Sequence, residues 1–233
     1  MGDDNGRRYF DYLAFYNHFR SPPDVLKQHQ SLFLDCFGGC HNVLDIGCGR
    51  GEFLEVLRDA GIPATGVDMD PDMVRLCRTH GLQVEETDGV SYLEQHEGID
   101  GIFMDQVIEH LEPQYLTRLI GLCHYKMLQG GRIVVKTINP LSIATFTDFY
   151  LDLTHTNAIH PEALKFIMRH AGFSEIGIKY LARTPDSKRL EKIDAEDEVS
   201  KRFPAFATSY NNNIEILNNL IFGAEDYAII ARK

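Results

Sequence analysis

The chain has 233 residues, with 23 Lys+Arg against 34 Asp+Glu, a formal charge of −11. Apolar residues make up 44% and charged residues 24%, which excludes fibrous, low-complexity and disordered classes and leaves a globular protein able to bury a full core. The acidic balance argues against nucleic-acid phosphate as the main partner, because phosphate binding leans on clustered Lys and Arg. A small anion held by backbone amides is compatible with it. The cysteines, Cys36, Cys40, Cys48, Cys77 and Cys123, are odd in number and form no CxxC, the pattern of reduced thiols in a cytoplasmic protein. The start, MGDDNGRRYFDYL, lacks the apolar core of a signal peptide, and Gly6 stands where myristoylation needs Ser or Thr. No apolar run approaches the ~20 residues of a membrane span.

In chain order, FDYLAFYNHFR and the stretch after Ser21-Pro22-Pro23 predict two helices, the second closed by Gly38-Gly39. From residue 43 short apolar runs alternate with amphipathic stretches. Strands are expected at 43–47, 64–67, 82–84, 99–104 and 133–135, and helices at 52–60, 71–80, around Tyr92-Leu93, 113–128 and 161–171. Glycines 61, 81 and 172 stop three of these helices, and Gly130-Gly131 is expected to end the fourth. A sixth strand follows at 176–181, then a charged surface insertion over 182–207, a helix over 208–222 and a last strand at 227–231. Repeated strand–helix alternation means an α/β fold, a doubly wound and mostly parallel seven-stranded sheet with helices on both faces. The last two strands are expected to form an antiparallel pair at the C-terminal edge. The organisation reads as an N-terminal helical segment (1–40), a core (41–181), a charged insertion with its helix (182–223) and a final strand (224–233).

The strongest chemical signal is Val43-Leu44-Asp45-Ile46-Gly47-Cys48-Gly49-Arg50-Gly51-Glu52-Phe53-Leu54. A strand enters a Gly-rich turn and leaves it as a helix. Glycine suits positive φ and close approach of a ligand to the backbone, and ligands of open α/β sheets lie at the carboxyl ends of the strands. The spacing is GxGxG, not the GxGxxG of dinucleotide folds, and no Gly-Lys-Ser/Thr follows for a phosphate loop.

VLDIGCGRGEFL resembles the first motif of the Rossmann-like S-adenosyl-L-methionine-dependent methyltransferases, and the resemblance covers about residues 40–180. It implies S-adenosyl-L-methionine as cofactor, contacted by Asp45, Gly47, Gly49 and Gly51. It further implies that Asp68, in TGVDMD, binds the ribose hydroxyls beside Met69. Asp88 with Gly89, in ETDGVSYL, is implied near the adenine amino group, and Gln106, after the fourth strand, beside the methionine part. Arg20 is assigned to the cofactor carboxylate. The bland alternatives are helix capping for Asp68 (a role that Asp70, ahead of Pro71, fits better) and for Asp88, and packing against the sheet for the aromatic helix that carries Arg20.

A second segment, Phe149 to Leu164 (FYLDLTHTNAIHPEAL), resembles bacterial methyltransferases of surface polysaccharide and glycan synthesis. It implies a small-molecule or glycan acceptor on that side of the sheet. Methyl transfer needs in-line alignment and a route for the acceptor proton, and histidine titrates near neutrality. His155, His110 and His160 are the candidate bases, in that order, with the start of a helix as the alternative role of His160. Three His with Asp105 or Asp152 would suit a cation, yet the spacing matches no metal motif, so no metal is expected. The reading is methyl transfer to an oxygen of a sugar or related small metabolite. A nicotinamide-dependent reductase and a non-catalytic cofactor-binding module are the alternatives. Oligomeric state is not readable from the sequence.

Overall fold

The computed structural model describes residues 11–233. The readings that concern the signal peptide and myristoylation fall on residues 1–10, outside the described residues. Among the described residues no helix is long and apolar enough to cross a membrane.

The helices are α1 (Tyr12–Phe19), α2 (Pro23–Gln30), α3 (Glu52–Asp59), α4 (Pro71–Thr79), α5 (Gly89–Gln95), α6 (Pro113–Lys126), α7 (Thr145–Phe149), α8 (Pro161–Ala171), α9 (Glu198–Arg202) and α10 (Pro204–Ile221). The strands are β1 (Val43–Ile46), β2 (Ala64–Asp68), β3 (Val84–Glu86), β4 (Ile99–Asp105), β5 (Met127–Ile138), β6 (Ser174–Arg183) and β7 (Ala224–Arg232). They form one seven-stranded sheet in the order β3-β2-β1-β4-β5-β7-β6. β1 pairs in parallel with β2 and β4, and β2 with β3. β7 is antiparallel to β6. The expected class, sheet size and antiparallel end are all present.

Three elements differ from expectation. α6 stops at Lys126, and β5 runs 12 residues from there instead of three. Gly130 and Gly131 do not end a helix: Gly130 N–H donates to Lys233 O and Lys233 N–H to Gly131 O, both at 3.0 Å, which draws the glycines into the sheet ladder. β7 lies between β5 and β6, so β6 is the outer strand of the expected antiparallel edge pair. Finally, α10 starts at Pro204, where the fixed φ of proline suits the first helical turn, and not at Thr208. The short α7 carried no sequence signal.

Contacts divide the chain into two units. One runs through Asp105 and adds Leu122–Ile133 and Lys233; the other comprises Gln106–Gly121 and Val134–Arg232. In the first, Phe33 and Phe37 from the 3-10 segment Ser31–Phe37 meet Phe53 of α3 and Phe103 of β4, all essentially inaccessible to water. The Phe53 and Phe103 rings stack at 3.8 Å between centroids. Burial of each such side chain contributes about 1.5–3 kcal/mol, so this cluster fixes α3, and with it the turn that precedes α3. In the second unit Tyr227 is fully buried and its hydroxyl donates to Ile159 O at 2.8 Å, which anchors the loop before α8.

Candidate active site

In the first unit the turn after β1 holds Gly47, Gly49 and Gly51 at φ of 70°, 54° and 84°, all left-handed. Their roles separate. A Cβ at Gly51 would stand 2.4 Å from Leu82 Cδ1 and 3.0 Å from Cys77 Sγ, so glycine there lets α3 pack on its neighbours. A Cβ at Gly49 would meet only Tyr16 Oη, at an ordinary 3.5 Å, so the turn presents its backbone to the aromatic ring of α1.

Asp68, at the end of β2, accepts from Gly49 N–H at 2.9 Å through Oδ2 and from Asp70 N–H at 2.8 Å through Oδ1. The helix-capping role falls to Asp70, which accepts from Asp72 N–H and Met73 N–H ahead of Pro71. Met69 beside it is 74% exposed, an unusual position for a large apolar side chain. Asp88 does cap α5, accepting from the Val90 and Ser91 N–H groups and the Ser91 hydroxyl, with Gly89 buried in the first turn.

Asp45 is buried in β1. Burial pushes its carboxyl well above the usual carboxylate range, and the negative charges of Asp105, Asp68 and Glu52 add to the shift, as does Cys77. Burial likewise raises Asp68, with the backbone donors opposing. Acids therefore converge at the strand ends, a setting that favours a ligand carrying positive charge.

Sequence reasoning gave no role to the residues that clamp this turn. Arg50, buried, donates through Nε to Glu52 Oε1 at 2.6 Å, through Nη1 to Asn17 Oδ1 at 2.9 Å and through Nη2 to Ser21 O at 3.1 Å. Its guanidinium lies 4.8 Å from the Tyr16 ring centroid, and that of Arg20 lies 5.0 Å from the same ring. Arg50 thus ties α1 and the chain after it to the glycine turn. Gln30 donates to Asp105 Oδ2 at 3.0 Å, while its own Oε1 is buried with no hydrogen-bond partner among the described residues. An unpartnered buried acceptor is costly, and a ligand donor would relieve it.

In the second unit Gln106 follows β4 with φ +58°, a strained conformation for a side-chain-bearing residue. Its amide donates to Asp226 Oδ1 at 2.9 Å, and Asp226 also pairs with Lys136 at 2.9 Å. The three candidate histidines part company. His160 caps α8, its Nδ1 accepting from Glu162 N–H at 3.1 Å. His110 and His155 come together, ring centroids 4.6 Å apart, with Glu109 alongside. The Thr154 hydroxyl donates to Asp152 Oδ1 at 2.6 Å, so its bond to His110 Nδ1 at 2.9 Å has the imidazole as donor. His155 Nδ1 donates to the Phe149 carbonyl at 2.7 Å, and its ring stacks on Phe149. In the neutral form of each ring the lone pair is therefore on Nε2. Asp152 is held below its usual range: burial raises it, but the Thr154 donors and the His155 and His110 charges outweigh burial.

A profile of the methyltransferase domain family matches residues 16–176. A crystal structure of a SAM-dependent methyltransferase from Archaeoglobus fulgidus is 38% identical, superposes with a TM-score of 0.89, and is covered over 97% of this chain and 100% of that one. The ubiquinone biosynthesis O-methyltransferase of Xylella fastidiosa strain 9a5c is 28% identical over 66% of this chain and 70% of its own length. That of strain M23 is 30% identical over 56% of this chain and 59% of its own length.

Proposed function

The chain belongs to the methyltransferase domain family and uses S-adenosyl-L-methionine, and on that premise we propose that it methylates an oxygen of a small-molecule acceptor. Oxygen as the acceptor atom is supported by the relatives named for O-methyl transfer. A sugar or glycan acceptor rests on the 149–164 segment alone.

The cofactor fits the residues of the glycine turn. When bound, it supplies a methyl carbon activated by a positively charged sulfur. Asp45, Glu52, Asp68 and Asp105 concentrate negative charge that its sulfonium and ammonium would offset. A carboxylate offers about four acceptor positions, so Asp68, already using two on backbone N–H groups, keeps capacity for both ribose hydroxyls. Met69 offers an exposed apolar face beside them. Gln30 Oε1 and the Gly49 backbone complete the polar lining, and Arg20 is assigned to the carboxylate end.

Acceptor handling is assigned to the second unit. His110 and His155, each with Nδ1 tied to an oxygen and Nε2 left for a further contact, are assigned to the activation of the acceptor hydroxyl. His160 is left with helix capping, and Gln106 with the Asp226–Lys136 network.

The observation that carries this reading is the left-handed glycine turn whose central N–H is held by Asp68 within a ring of acids. Calorimetry with S-adenosyl-L-methionine and with NADH tests it. Binding of the former alone is expected; binding of NADH in its place would overturn the cofactor assignment. Formation of S-adenosylhomocysteine with a panel of hydroxylated metabolites then identifies the acceptor.

A further inference from the structure

We propose that Glu109, His110 and His155 bind a divalent cation of the borderline class, Zn2+ or Co2+, through which the acceptor oxygen is held and made acidic. The inference rests on the reading that this group faces the acceptor. One nitrogen from each ring and one carboxylate oxygen lie within 4.8 Å of one another. Two imidazoles and a carboxylate are a donor set that suits this class, and three protein ligands leave coordination positions open for substrate.

The surroundings are those of a ligand set rather than of two bases side by side. A metal-bound imidazole characteristically donates its other ring N–H to an oxygen. Both rings do so here, His155 to the Phe149 carbonyl and His110 to Thr154. Thr154 passes the chain of donors on to Asp152. Glu109 is fully buried, and Thr137 holds its Oε2 at 2.9 Å. Main-chain bonds fix the two loops independently of any metal: the Thr156 and Asn157 N–H groups donate to Glu109 O at 2.8 and 3.1 Å. Asp152 Oδ2, 3.9 Å from His155 Nε2, is beyond hydrogen-bond length and is placed to approach as a fourth ligand, the second through oxygen. Around a tetrahedral zinc, ligand atoms stand roughly 3.3 Å apart, so closure needs side-chain rotations on the order of 1 Å.

In the reaction, an acceptor hydroxyl on an open position loses its proton to solvent. Its oxygen lone pair forms the new O–C bond, and the C–S bond breaks with its electron pair left on sulfur. The cation is neither oxidised nor reduced.

The full chain, stripped with chelator, is titrated with Co2+ and read by visible absorption, and with Zn2+ by calorimetry. One cation per chain is expected, with affinity lowered at least about tenfold in His110→Ala, His155→Ala and Glu109→Gln and unchanged in His170→Ala. Thr154→Val, which removes only the outer hydrogen bond, is expected to weaken binding by roughly 10-fold. S-adenosyl-L-methionine binding and far-UV circular dichroism are recorded on every variant to show that each is folded. No saturable cation binding by the parent, or parental affinity in the two histidine variants, overturns the proposal. Cofactor binding without cation binding would refute this inference and leave the methyltransferase reading standing; cation binding without cofactor binding would do the reverse.

Discussion

Replacing Gly49 and Gly51 one at a time with alanine separates ligand contact from packing. Both have left-handed φ, 54° and 84°, where a side chain costs about 1–2 kcal/mol. At Gly49 that is the whole cost, because the new Cβ meets only Tyr16 Oη at 3.5 Å. At Gly51 the Cβ lies 2.4 Å from Leu82 Cδ1, and Leu82 sits in a buried cluster with Cys48, Leu54, Val74, Cys77 and Val84. Overpacking there adds about 1–3 kcal/mol, for a total of about 2–5 kcal/mol. With a urea m-value of about 2 kcal/mol/M, the midpoint falls by ~0.5–1 M for Gly49→Ala and ~1–2.5 M for Gly51→Ala. Calorimetry with S-adenosyl-L-methionine is expected to reverse the order, with a loss of about tenfold or more for Gly49→Ala and under threefold for folded Gly51→Ala. Equal effects in both assays would refute the division of roles.

Asp68→Asn keeps an acceptor for Gly49 N–H but removes the charge. Cofactor affinity is expected to fall at least about tenfold, as one charge-assisted bond contributes ~1.5–3 kcal/mol, and a loss under threefold in calorimetry would end the ribose assignment. Asp45→Asn tests the buried acid. Burial, then the Asp105 charge, raises the folded-state value above the unfolded one, so the stability Asp45 contributes is complete below about pH 4 and is lost as pH rises through the raised value. The urea midpoint of the variant relative to the parent should therefore climb from pH 4 to pH 8; a flat difference contradicts the raised carboxyl.

What the sequence made legible was local. The glycine turn, the Asp68 strand end, the Asp70 cap before Pro71 and the His160 cap before Pro161 each depend on residues within a few positions, where periodicity and turn chemistry act. The extent of β5 was not legible, because Gly130-Gly131 reads as a helix stop until Lys233, about a hundred residues on, pairs with it. Arg50 likewise looks like a solvated turn residue until Asn17, Ser21 and Tyr16 close around it. His110 and His155 are nameable from the sequence as candidates, but the hydrogen bonds that orient them are not legible there. His110 and Thr154 are 44 positions apart, so no spacing rule reports a meeting that the loops after β4 and β5 produce.

The net charge of −11, which argued only against nucleic acid, has a local consequence at the glycine turn. Burial first, and then the negative charges of Asp105, Asp68 and Glu52 gathered where the strands end, raise the Asp45 carboxyl. Arg50 relieves one of the four through Glu52. On the proposed assignment, a ligand bearing a sulfonium and an ammonium offsets the rest, so the same acids that destabilise the free turn would strengthen binding. Part of the cofactor affinity would then be held as electrostatic strain in the free protein, and the cofactor would stabilise the fold by mass action on binding. Asp45→Asn is expected to separate these two effects. The free protein becomes more stable at pH 8, while the increase in urea midpoint produced by saturating S-adenosyl-L-methionine becomes smaller. An undiminished increase would mean that Asp45 does not sense the ligand's charge.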